Sequence, residues 1–74
     1  MSGYWIVERA LESGGSTLVG LTSLGPCYTS KGQEMRFADR TSADKFKNWA
    51  DGPLDMIVGQ VGPLYLRAVG GTNA

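Results

Sequence analysis

The first apolar block of the chain, Tyr4-Trp5-Ile6-Val7, is aromatic and β-branched, which suits a pleated, half-buried surface. It predicts a strand over 3–11. Period-two alternation puts Tyr4, Ile6, Glu8 and Ala10 on one face and Trp5, Val7, Arg9 and Leu11 on the other. Ser13-Gly14-Gly15-Ser16 reads as a tight turn, because paired glycines reach positive φ without steric cost. The returning strand, antiparallel to the first, is expected over 17–21. Dense Gly, Pro, Ser and Thr over 22–33 predict a long loop, of the kind that is either mobile or used for binding. Over 33–38 the alternation is clean. Met35 and Phe37 point one way, with Glu34, Arg36 and Ala38 opposite, which predicts a third strand with one buried face.

A helix is predicted over 42–50. Thr41 or Ser42 caps its first turn, and Asp44 sits where the helix dipole favours a negative charge. Ala43, Phe46, Trp49 and Ala50 form its apolar stripe, while Lys45, Lys47 and Asn48 face water. Gly52 supplies a left-handed stop and Pro53 prevents continuation, so the helix runs for about two and a half turns. A fourth strand follows over 54–61, then a Gly62-Pro63 turn, a fifth strand over 64–69 and a frayed tail over 70–74. The order β-β-β-α-β-β predicts an α+β fold, a four- to five-stranded antiparallel sheet with one short helix packed on one face. Met35, Phe37, Leu54, Met56, Leu64 and Leu66 are the residues expected beneath that helix.

Composition narrows the chemistry. A chain of 74 residues is one small domain. At 42% apolar and 19% charged residues it belongs with folded rather than disordered chains. A core this small is marginal, which makes self-association into a homodimer one expected supplement. Seven basic and seven acidic residues cancel, so the bulk attraction to nucleic acid or to anionic membranes is missing. There is no histidine and one cysteine, which excludes a disulfide framework, a His/Cys zinc site and a Ser-His or Cys-His catalytic pair within one chain. No cofactor-binding fingerprint is present, since Gly14-Gly15 joins two strands and Gly70-Gly71 lies near the end. No apolar run approaches the ~18 residues of a membrane span, and the first residues do not read as a secretory signal. A single cysteine agrees with a cytoplasmic setting.

The remaining candidates are surfaces. Cys27 lies beside Pro26 and Tyr28 without a histidine to activate it, and reads as a small apolar filler. Asp39 reads as a turn or cap residue, and Asp51 and Asp55 as solvated carboxylates. If the helix covers one side of the sheet, Arg36, Tyr65 and Arg67 lie on the other. Trp5 and Arg9 join them if the first strand has the right register, and Tyr28 in the long loop adds a further ring. Arg and aromatic residues anchor protein interfaces and stack on single-stranded bases. Glu8 and Glu34 dilute the patch, which counts against a polyanionic partner. The same face also reads as an ordinary polar sheet surface.

Tyr4-Trp5-Ile6-Val7-Glu8-Arg9, with the run from Met35-Arg36-Phe37-Ala38 to Asp44-Lys45-Phe46, resembles small uncharacterised proteins of bacteriophages and prophages. Their recurring pattern is a strand ending in Arg-Phe-Ala, followed by a short capped helix with Ala-Asp and Phe. Some small phage proteins of this size inhibit host systems, including CRISPR defence, by binding a host protein. The resemblance therefore implies a non-enzymatic inhibitor of a host protein or complex, acting in the host cytoplasm. The alternatives are a self-assembling structural subunit and a weak nucleic-acid binder.

Overall fold

A computed structural model describes residues 3–11, 14–58 and 63–70, with the backbone alone at 55–58. Its elements are β1 (Gly3–Ala10), β2 (Ser16–Thr22), β3 (Gly25–Thr29), α1 (Arg40–Val58) and β4 (Leu64–Gly70). The strands form one antiparallel sheet in the order β3-β2-β1-β4, and α1 packs on one side of it. The α+β class and the antiparallel sheet with one helix on it are those predicted, with four strands among the described residues.

The β1–β2 turn forms at the paired glycines. Leu11 N donates to Gly15 O at 2.9 Å, and Gly14 takes a φ of 104°. The long loop predicted over 22–33 is in part a strand. Thr22 accepts from Leu24 N at 3.1 Å and donates to Gly25 O at 3.0 Å, closing a tight turn into β3. Pro26 did not prevent this, because β3 is an edge strand and one side of its backbone needs no partner.

The third predicted strand, over 33–38, is instead a wedge. The β1–β2 pairing covers Glu8↔Leu18, Arg9↔Thr17 and Ala10↔Ser16. Where the two strands part, residues 35–37 fill the gap. Met35 N donates to Val19 O of β2 at 3.1 Å, while Phe37 and Trp5 of β1 exchange bonds of 2.8 and 2.9 Å. The alternation was real, but the segment bonds to two different strands in turn.

The helix is longer than predicted at both ends. Asp39 caps it in place of Thr41 or Ser42, accepting from Ser42 N at 2.9 Å and Ser42 Oγ at 3.1 Å. It then passes through Gly52 and Pro53 and runs to Val58. A proline inside a helix removes one backbone bond and crowds the preceding turn. Packing outweighs that cost here, since Ala43, Ala50 and Leu54 repeat at helical spacing and all are fully buried. The fourth strand predicted over 54–61 is thus helical through 58, and its remainder lies outside the described residues, as does the tail over 71–74.

The core is Val7, Val19, Ala50, Leu54 and Leu64, with Tyr28, Phe46 and Leu66 packed against it. Phe37 reaches the helix through Phe46, at 5.3 Å between ring centroids. Trp49 leaves the predicted stripe and is 54% exposed, its ring beside Phe46 at 5.7 Å. No helix among the described residues is long and apolar enough to cross a membrane.

Candidate binding face

The side of the sheet away from α1 is concave. Register decides which residues it holds. Glu8 of β1 lies opposite Tyr65 of β4, Ile6 opposite Arg67 and Tyr4 opposite Val69. On the other flank Glu8 faces Leu18 of β2, which faces Thr29 of β3. These residues share one face because side chains across a ladder point the same way.

One wall rises above this floor. After β3 the chain turns at Ser30, whose carbonyl accepts from Gln33 N at 3.0 Å, and crosses close over β2. The crossing is at Gly20, where a Cβ would lie 2.8 Å from Gln33 O and 3.1 Å from Thr29 Cγ2. Glycine alone lets the segment pass so near. Ser30, Lys31 and Glu34 form the wall of a depression of about 490 Å³, with Tyr4, Ile6, Glu8, Leu18, Arg67 and Val69 among its lining.

Two carboxylates anchor the polar groups of this face. Glu8 accepts from Tyr65 Oη at 2.9 Å through Oε1 and from Arg67 at 3.1 Å through Oε2. Glu34 accepts from Gly32 N at 2.6 Å through Oε1 and from Arg36 Nε at 3.0 Å through Oε2. The side chains of Glu8 and Glu34 are 6% and 4% exposed, whereas those of Arg67 and Arg36 are 53% and 51% exposed. The acids lie beneath and the guanidinium groups lie outermost. Arg36 also sits 4.6 Å above the Tyr4 ring, a cation–π contact that fixes both side chains.

The titration of these groups follows from their partners. Its own backbone amide, then the amide of Gly32 and the Arg36 guanidinium, hold the Glu34 carboxyl below its ordinary range, against the opposing effect of burial. Burial pushes the Tyr65 phenol upward, and the bond to Glu8 adds to the shift. Both shifts favour the states in which the bonds above are made.

The structure separates the six residues named from the sequence. Arg36, Tyr65 and Arg67 lie on the open face and remain exposed. Trp5, Arg9 and Tyr28 do not join them, because the register turns them toward the helix side. Arg9 is buried and donates to Tyr28 Oη at 2.9 Å, and the Tyr28 ring packs on the core. Trp5 lies under Arg40 of the helix, 5.6 Å from the guanidinium carbon. Tyr4, Lys31 and Glu34 belong to the face and were not among the six. Tyr4 was legible in the alternation of the first strand, but Lys31 and Glu34 reach the face through the Gly20 crossing, which no local pattern announces.

Other candidates resolve into structural roles. Asp39 is the helix cap and Asp51 is exposed on the helix, while the Asp55 side chain lies outside the described residues. Cys27 is half-buried in β3. Among the described residues no group of three or more His, Cys, Asp or Glu is placed to hold a metal ion. No family model, curated protein or solved structure matches the chain.

Proposed function

We propose that this chain is a non-enzymatic binding module that acts by covering part of a partner protein with its concave sheet face. One observation carries the reading. Arg36, Arg67, Tyr4 and Tyr65 are held at the surface by partners buried beneath or stacked on them, so little side-chain freedom is lost when something docks. Arg and Tyr are also the side chains that most often dominate protein interfaces. A catalytic reading is less favoured. Each oxygen of Glu8 and Glu34 already accepts a bond from the chain itself, so the role the geometry gives these acids is to hold Arg36, Arg67 and Tyr65 in place. The resemblance to phage and prophage proteins supplies a setting, in which the partner is a host protein such as a component of a defence complex and the site of action is the host cytoplasm.

The test is capture from host lysate by the wild type, by Ser30→Trp, which fills the depression, and by Lys45→Glu on the exposed side of the helix. One stoichiometric protein retained by the wild type and Lys45→Glu, but lost with Ser30→Trp, is the expected pattern. Capture that ignores Ser30→Trp, or no specific capture from any host, overturns the reading.

Self-assembly is the second reading, and one feature favours it. β4 ends the sheet with seven residues and no proline, whereas the opposite edge, β3, is five residues long and carries Pro26. A second copy would add along β4. Light scattering across a dilution series separates the two readings, since a monomer at every concentration removes this one.

A further inference from the structure

We infer that the segment this face receives is acidic, a stretch of a partner protein that presents carboxylates to Arg36, Arg67 and Lys31. The inference rests on the reading above and names the chemistry of the contact. Its basis is a mismatch of donors and acceptors on the face. Both acids lie low in the face, and each of their oxygens already accepts one bond from the chain itself. The donors are not used up. Arg67 bonds Glu8 through one terminal nitrogen and Arg36 bonds Glu34 through Nε, and a guanidinium carries five N–H groups in all. The remaining N–H groups of both belong to side chains about half exposed, and the Lys31 ammonium lines the same depression. A face whose outermost charged groups are all donors is satisfied by a partner that brings anionic acceptors. Carboxylates match the planar fork of arginine best among protein groups.

Charge points the same way. The acids of the face are 4% and 6% exposed and the arginines 51% and 53%, so an approaching chain meets the guanidinium groups first. Nucleic acid would supply acceptors as well, but two features disfavour it. The formal charge of the chain is zero, which removes the long-range attraction to a polyanion. The Tyr4 ring is also already covered on one side by Arg36, which narrows its use as a stacking platform for bases.

The experiment is an amide NMR titration of the full chain with three probes. They are a capped ten-residue peptide alternating Glu and Val, its Lys-Val counterpart, and a ten-nucleotide oligothymidine. Shifts confined to Tyr4, Glu8, Leu18, Lys31, Arg36 and Arg67 with the Glu peptide, and absent with the Lys peptide, are expected. Affinity should fall about tenfold in the double variant Arg36→Gln/Arg67→Gln, the combined effect of two exposed charge-assisted contacts. Because that variant strips the two acids of their partners, Lys31→Glu serves as a second one, at an exposed residue that holds neither acid in place. It should weaken the Glu peptide and leave the fold unchanged. No shift with the Glu peptide, or tighter binding of oligothymidine, overturns the inference. If lysate capture still depends on Ser30→Trp but not on Lys31→Glu, the docking face stands and its acidic partner falls. If both capture and titration fail, both are lost.

Discussion

At the scale of single residues, the depression depends on a missing side chain. Gly20 lies in β2 directly under the segment that forms the wall, and its φ is not one that demands glycine. The constraint is steric. A Cβ 2.8 Å from the Gln33 carbonyl oxygen meets backbone, which cannot swing aside as a flexible side chain would. Gly20→Ala is therefore expected to destabilise the fold by about 1–3 kcal/mol, the usual range for overpacking, read from the urea midpoint. It should also move the amide resonances of 30–37 more than those of β4. A neutral Gly20→Ala would mean that the wall stands farther from the sheet than 2.8 Å allows.

At the scale of elements, Gly52 and Pro53 show where local signals and tertiary packing disagree. As a stop signal Gly52 would sit in the left-handed region, and alanine there would be strained. In the observed helix Gly52 has no positive φ, and a Cβ would meet nothing within 4 Å. Gly52→Ala should then stabilise the protein by roughly 0.5–1 kcal/mol, the helix-interior difference between the two residues. Thermal melts with circular dichroism decide the sign, and a loss of stability would restore the stop. Leu54 explains why the sequence pointed the wrong way. Its side chain is fully buried between sheet and helix, and that burial carries the helix past a proline that local rules read as a terminus. The strands that were legible, β1, β2 and β4, are those whose alternation serves a single ladder face. The segment over 33–38 departs from its expected strand because alternation reports burial on one side and not the number of strands that provide it. Of the candidate site, the exposed trio Arg36, Tyr65 and Arg67 was legible from facing alone. The exclusion of Trp5, Arg9 and Tyr28 needed strand register, which the spacing of residues within one strand does not encode.

At the scale of the whole molecule, the small core leaves little reserve. At roughly 0.05–0.15 kcal/mol per residue, 74 residues hold about 4–11 kcal/mol. Leu54→Ala empties the centre of the core at a cost of about 2–5 kcal/mol, so a broad, low-temperature melt or outright unfolding is expected. Three groups with displaced pKa values, Asp39, Glu34 and Tyr65, each contribute a pH dependence to stability. The Asp39 carboxyl is held below its ordinary 3.8 by the backbone and side chain of Ser42, and Glu34 lies below its ordinary 4.5. A lowered native pKa means that the unfolded chain binds the proton more tightly. Their contribution is thus complete above 4.5 and is lost as the pH falls through the native values. Tyr65 works in the opposite sense. Its phenol titrates above 10.0 in the native state, so its contribution is complete below 10.0 and is lost as the pH rises through the native value. The chain has no histidine to place a step between these limbs. The melting temperature should accordingly be flat from about pH 5 to 9 as far as these three groups determine it, with an acid limb flattened in Asp39→Asn and Glu34→Gln and an alkaline limb flattened in Tyr65→Phe. An alkaline limb unchanged in Tyr65→Phe would show that Tyr65 is neither buried nor bonded to Glu8 in solution as it is here, and with that would go the fixed geometry on which docking to the concave face depends.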